Sequence, residues 1–228
     1  MIYAAIVAGG TGSRMGADIP KQFLTVSGKP VLIHTILCFS GLVDRVVVAC
    51  HADYVGHTVA LAEKHGIDID VIQGGADRMG SLGAILNHLE KIGATEKDIL
   101  LTHDGVRPFV SREMIENSIE NAVEGHFSTV AVNATDTVCI ESDGEVVSVP
   151  ERKNVFNIQT PQTFTFGKLK SMLEGCENPG RFTDLCGLAL HMGEQVKIVE
   201  GNAENIKITV PADLAVAEAI LEKRNENR

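Results

Sequence analysis

A chain of 228 residues with 44% hydrophobic positions can bury one substantial core, and a single domain over 1–228 is expected. Its formal net charge of −10 argues against a broad grip on nucleic acid, which needs clustered Lys and Arg to displace condensed counterions. Five cysteines without C-x-x-C spacing suggest neither a disulfide framework nor a zinc knuckle, and the absence of a basic-flanked leader or an apolar stretch of spanning length predicts a cytoplasmic protein with no membrane partner.

Apolar, β-branched runs at 2–7, 46–49, 69–72, 99–102 and 129–132 alternate with helical patterns at 32–39, 57–65, 81–91 and 112–123. This alternation predicts an α/β fold: right-handed β-α-β units around a mostly parallel sheet covered on both faces. Ligands of such sheets bind beyond the carboxyl ends of the strands, so residues just after each strand are the candidates. After Asn133 the pattern breaks. Segments 137–140 and 146–149 flank an Asp143-Gly144 turn and predict a β-hairpin arm within 134–154. An isolated hairpin is marginal, which favours packing on the core or on a second subunit. A helix near 183–191, a strand at 196–199 and a last helix opening at Pro211 follow.

The first strand runs into Ala8-Gly9-Gly10-Thr11-Gly12-Ser13-Arg14-Met15-Gly16, where glycines let backbone N–H groups approach phosphate oxygens. A dinucleotide fingerprint needs glycine at Met15 and an acid after the second strand, where Cys50 and His51 stand, so an NAD-binding reading is disfavoured. Arg14 and Lys21 follow the loop and could neutralise a triphosphate; a bare strand-helix turn with solvated charges is the plainer alternative.

Strand 99–102 leads into His103-Asp104-Gly105-Val106-Arg107, which makes Asp104 a magnesium candidate, against a role as a turn cap. His103 reads as a packed, hydrogen-bonded histidine. Gly74-Gly75-Ala76-Asp77-Arg78-Met79-Gly80-Ser81 could hold a base or ribose, or could simply cap a helix. Lys207, among alternating apolar residues, reads by default as a snorkelling surface lysine.

Together with Pro20-Lys21-Gln22-Phe23, Asp136-Thr137, Gln159-Thr160-Pro161-Gln162 and Asn205-Ile206-Lys207-Ile208-Thr209, these motifs give a chain that resembles the cytidylyltransferases of 2-C-methyl-D-erythritol 4-phosphate or D-ribitol 5-phosphate. The resemblance implies a Rossmann-like, GT-A-like nucleotidyltransferase that uses CTP and magnesium. It implies that Arg14, Lys21 and Lys207 meet the reacting phosphates and that Asp104 supports magnesium and the acceptor. Ala8, Gly9, Gly10, Gly12, Gly75, Arg78 and Ser81 would bind the nucleotide. Arg107, Thr160 and Thr183 would face the acceptor, and the arm would cross to a partner in a homodimer, where Thr137 and Arg152 complete the neighbour's site. Gly9-Gly10, the 102–107 run and Val149-Pro150-Glu151-Arg152 look more like the ribitol-phosphate enzymes. Leu185 departs from the Thr-Asp-Glu-Ala pattern usual in the erythritol-phosphate enzymes, which Gly201-Asn202-Ala203-Glu204 resembles more closely.

Overall fold

The computed structural model describes residues 1–10 and 19–226. Seven strands form one sheet: β1 (Ile2–Ala8), β4 (Arg45–Cys50), β5 (Asp70–Gln73), β6 (Ile99–Asp104), β7 (Phe127–Asn133), β10 (Phe156–Thr165) and β11 (Val196–Glu200). Their order is β11-β7-β10-β6-β1-β4-β5. The pairs β1–β4, β1–β6, β4–β5 and β7–β11 are parallel, and β10 runs antiparallel to both of its neighbours. The mostly parallel sheet expected from the β-α alternation is present, with β10 as an exception the hydrophobic pattern did not disclose.

Alternation along β1 feeds two cores. Tyr3 and Ala5 pack against α3 (Arg78–Lys91), α5 (Phe166–Gly175) and α6 (Leu185–His191). Ala4, Ile6 and Ala8 pack against α1 (Val31–Leu37) and α4 (Arg112–Val123), with Val55 and Leu61 of α2 (Val55–Lys64) at the margin. Each fully buried large side chain, such as Ile6 or Leu82, contributes about 1.5–3 kcal/mol of apolar burial. A third cluster joins α7 (Pro211–Glu226) to Phe109, Ile208 and Val26 of the two-residue strand β2 (Thr25–Val26), which pairs with β3 (Lys29–Pro30).

The chain folds so that β1 and β6, central neighbours, end together. A Cβ on Gly105 would stand 2.9 Å from Ala8 Cβ, so only glycine lets the two strand ends converge this closely. That convergence sets Asp104 in one cavity with Gly9 and Gly10. Beyond the carboxyl end of β7, the arm is a separate hairpin of β8 (Ile140–Ser142) and β9 (Glu145–Ser148). Asp143 and Gly144 both have positive φ, 54° and 84°, as a two-residue turn matched to strand twist requires. The paired part is shorter than expected, since 137–139 are not in a strand. Among the described residues no helix is long and apolar enough to cross a membrane.

Candidate active site

The ends of β1, β5 and β6, the antiparallel β10 and the segment carrying Lys207 build the site. β1 supplies Ala8, Gly9 and Gly10. The Ala8 carbonyl accepts a 2.8 Å hydrogen bond from the buried Gln22 amide, which fixes the single 3-10 turn Lys21–Phe23 and hence the base of Lys21. Gln22 escaped notice in the sequence as an anchor, although it stands inside the Pro20-Lys21-Gln22 motif.

Past β5, Gly74 and Gly75 turn into α3. Asp77 caps that helix by accepting from Gly80 N–H at 2.7 Å. Ser81 Oγ accepts from Gly75 N–H at 3.1 Å and donates to the Asp77 carbonyl at 2.8 Å. The segment is therefore a capped helix start, and its Gly75, Arg78 and Ser81 also line a cavity. Ser81 spends its hydroxyl proton on the loop, so what it can offer a ligand is a lone pair. A Cβ on Gly75 would fall 2.5 Å from the Gly80 carbonyl carbon, which demands glycine there.

Asp104, at the end of β6, is buried and surrounded by cations. Arg78 binds Oδ1, while Arg107 Nε at 3.2 Å and Lys207 Nζ at 3.0 Å share Oδ2. Burial by itself would raise this carboxyl, but Arg78, Lys207 and Arg107 outweigh it and hold Asp104 far below the usual carboxylate range. Asp104 is thus a cation anchor, not a cap, and Lys207 is not the snorkelling lysine its flanks suggested. Arg78 Nε is buried with no partner among the described residues, a donor left over for a ligand.

Behind Asp104, the buried His103 has its imidazole pushed down to about 4, chiefly by burial. Arg107 Nη1 donates to the Asn205 carbonyl at 2.9 Å, and Asn205 Nδ2 donates to Gln159 Oε1 at 3.1 Å and to the Thr160 carbonyl at 3.0 Å. The segment carrying Lys207 is thereby stitched to β10. Asn205 and Gln159 are supports that the sequence marked only as members of polar motifs.

Two cavities meet over this anchor. One, of about 350 Å³, is lined by Ala8, Gly9, Gly10, Lys21, Gly75 and Ser81. The other, of about 420 Å³, is lined by Arg107, Gln159, Thr160, Gln162 and Asp184. Arg78, Asp104, Thr183 and Lys207 line both. Ala8, Gly9, Gly10, Gly75 and Ser81, expected to bind a nucleotide, line only the first cavity, and Arg107 and Thr160, expected to face an acceptor, line only the second, with one charged ridge between them.

The family profile described as IspD: 2-C-methyl-D-erythritol 4-phosphate cytidylyltransferase matches residues 2–223. The chain belongs to this cytidylyltransferase family. A ribitol-5-phosphate cytidylyltransferase of Lactiplantibacillus plantarum is 37% identical, with 99% of this chain and all of that protein covered. Among solved structures, the 4-diphosphocytidyl-2C-methyl-D-erythritol synthase of Anaerococcus prevotii superposes with a TM-score of 0.82 at 31% identity, covering 97% of this chain and 96% of that one. The 2-C-methyl-D-erythritol 4-phosphate cytidylyltransferase of Francisella tularensis gives 0.80 at 29% identity, covering 96% and 98%. The protein is a nucleotidyltransferase by family.

Within this cytidylyltransferase, Arg14 and Gly12 lie outside the described residues. Thr137 and Arg152 do not line either cavity: Thr137 is exposed on the arm, and Arg152 donates to the Thr135 carbonyl at 3.3 Å. Asp104 does not fit a resident magnesium ion. Both its oxygens are held by cations, and no group of three or more His, Cys, Asp or Glu that could hold a metal occurs among the described residues. A divalent ion bound directly there would face three positive charges.

Proposed function

We propose that this protein transfers CMP from CTP to D-ribitol 5-phosphate, giving CDP-ribitol and pyrophosphate. The observation that carries this reading is the pair of cavities sharing Arg78, Asp104, Thr183 and Lys207, since group transfer needs donor and acceptor phosphates side by side among cations. The 37% identical ribitol-5-phosphate relative supports the choice of acceptor.

In this reading the glycine loop and Gly75 seat the nucleotide in the first cavity. An oxygen of the acceptor phosphate, lying in the second, attacks the α-phosphorus of CTP in line. The new O–P bond forms as the bond to the β-phosphate oxygen breaks, and pyrophosphate leaves. The attacking phosphate is already ionised at neutral pH, so no strong general base is required. Lys21, Lys207 and Arg14 neutralise the charge on the α-phosphate and the leaving group, and Arg107 holds the acceptor side. Magnesium is part of the substrate here, arriving with the triphosphate as its counterion.

The exposed arm, with Ile140, Val146, Val147 and Val149 each more than half exposed, is the surface proposed to join two subunits, bringing Thr137 and Arg152 to the partner's acceptor cavity. A second reading, with 2-C-methyl-D-erythritol 4-phosphate as acceptor, is favoured by the family match and the solved relatives. Competition of the two polyol phosphates for limiting enzyme, with the CDP products separated by mass, decides between them. Predominant CDP-ribitol supports the proposal, and predominant CDP-methylerythritol replaces it with the second reading.

A further inference from the structure

His103 is wholly buried, and no role in the transfer falls to it directly. Its ring nitrogens nonetheless determine what Thr160 can recognise. Nε2 lies 3.0 Å from the Arg107 carbonyl oxygen. A carbonyl can only accept, so Nε2 carries the proton and Nδ1 is bare in the neutral ring. Nδ1 lies 2.9 Å from Thr160 Oγ1, so Thr160 donates its one hydroxyl proton to His103. The same oxygen accepts the Asp104 backbone N–H at 3.2 Å. One lone pair remains, on a side chain that lines the second cavity.

We infer that His103 is a positioning residue that turns Thr160 into a pure hydrogen-bond acceptor, so that this wall of the second cavity selects a substrate hydroxyl over a phosphate oxygen. An alkyl phosphate is largely dianionic at neutral pH and brings no proton to a bare lone pair. A polyol hydroxyl does, and the two meet without either group losing another partner. The phosphate end of the acceptor then belongs with Arg78, Arg107 and Lys207, and a carbinol of its chain belongs with Thr160. The inference rests on the polyol-phosphate reading and deepens it: the arrangement rewards a hydroxylated chain, where cations alone would accept any small phosphate.

Three variants test it with D-ribitol 5-phosphate and pentyl phosphate, which has the same chain length and no hydroxyls. Thr160→Val removes the hydroxyl isosterically. His103→Gln can keep the bond to the Arg107 carbonyl while withdrawing the acceptor at Nδ1, leaving the Thr160 proton unclaimed. His103→Asn can offer an amide oxygen near the Nδ1 position. The preference in kcat/KM for ribitol phosphate over pentyl phosphate is expected to fall about fivefold to tenfold in Thr160→Val and His103→Gln, the scale of one neutral hydrogen bond. The fall appears in the KM for ribitol phosphate, leaves the KM for CTP unchanged, and is reversed in His103→Asn. An unchanged preference in Thr160→Val overturns the inference, and so does an equal loss with both acceptors, which would mark a purely structural role. If His103→Gln fails to fold, the isosteric Thr160→Val still decides. Wild-type turnover reports separately on the acceptor: activity with methylerythritol phosphate alone removes ribitol, and the same preference is then measured with that polyol. Turnover of neither polyol phosphate overturns both.

Discussion

Lys207 Nζ is held 3.0 Å from Asp104 Oδ2, although 42% of the Lys207 side chain is exposed and Asp104 is buried. A half-exposed ammonium is thus pinned to a buried carboxylate at the ridge between the two cavities. Partly exposed ion pairs add little to stability, roughly 0–1 kcal/mol. The same charge opposite a reacting phosphate in a dry site is worth far more. Lys207→Ala should therefore reduce kcat by about 10²–10³, or roughly 3–4 kcal/mol of barrier, with a small change in melting temperature. Parallel kinetics and thermal melts check both halves, and a large loss of stability with modest loss of turnover would reverse the assignment.

Acid should loosen the fold in two stages. In the unfolded chain an imidazole gains its proton near pH 6.5, whereas buried His103 resists until about 4. Between these values the unfolded state binds the extra proton, so stability is full above pH 6.5 and falls on the way to 4, by on the order of 3 kcal/mol. Asp104 acts lower. Its folded-state pKa lies below the ordinary 3.8, so its contribution is present above 3.8 and is lost as pH falls further. Urea denaturation from pH 7 to 4 checks the first stage, and His103→Asn should flatten it.

Gly75→Ala has no room, because its Cβ would be placed 2.5 Å from the Gly80 carbonyl carbon and that neighbour is helix backbone. The first turn of α3 must shift, carrying Arg78 and Ser81 with it. A loss of about 1–3 kcal/mol is expected from the overpacking, together with a raised KM for CTP. Denaturation midpoints and CTP saturation curves measure these.

Val146 is 63% exposed on the arm. Val146→Asp should leave the melting behaviour of an isolated subunit within about 0.5 kcal/mol, as surface changes do. If the arm joins subunits, the same change should shift the protein from dimer to monomer in sedimentation and reduce turnover, since the acceptor cavity loses the partner's Thr137 and Arg152. Unchanged sedimentation as a dimer would move the interface elsewhere.

The parallel strands and the helices between them were legible because β-branched runs and 3.6-residue patterns alternate without interruption. β10 was not. Pro161 and the polar Gln159, Gln162 and Thr163 argue against a central strand, since proline cannot donate to a ladder. The strand tolerates them because its pairing is irregular between Ile158 and Gln162, and because the Gln159 and Gln162 amides find partners in Asn202, Asn205 and Asp184. The Arg78 and Lys207 pairs with Asp104 span 26 and 103 positions, beyond the reach of local pattern. Leu185 is fully buried in the core with α3 and α5, so its departure from the erythritol-type motif is a packing change and not a direct reading of the acceptor.

The central claim is that the cations lining the two cavities, Lys21 in the first and those held by Asp104 at the ridge, drive transfer of CMP to a polyol phosphate. Its most direct measurement is pyrophosphate release from CTP with magnesium, with and without D-ribitol 5-phosphate, in wild type and in Lys21→Ala. The account predicts acceptor-dependent release that is fastest with CTP among the four ribonucleoside triphosphates and falls by about 10²–10³ in Lys21→Ala. Release that ignores the acceptor, or that survives Lys21→Ala at the wild-type rate, would contradict it.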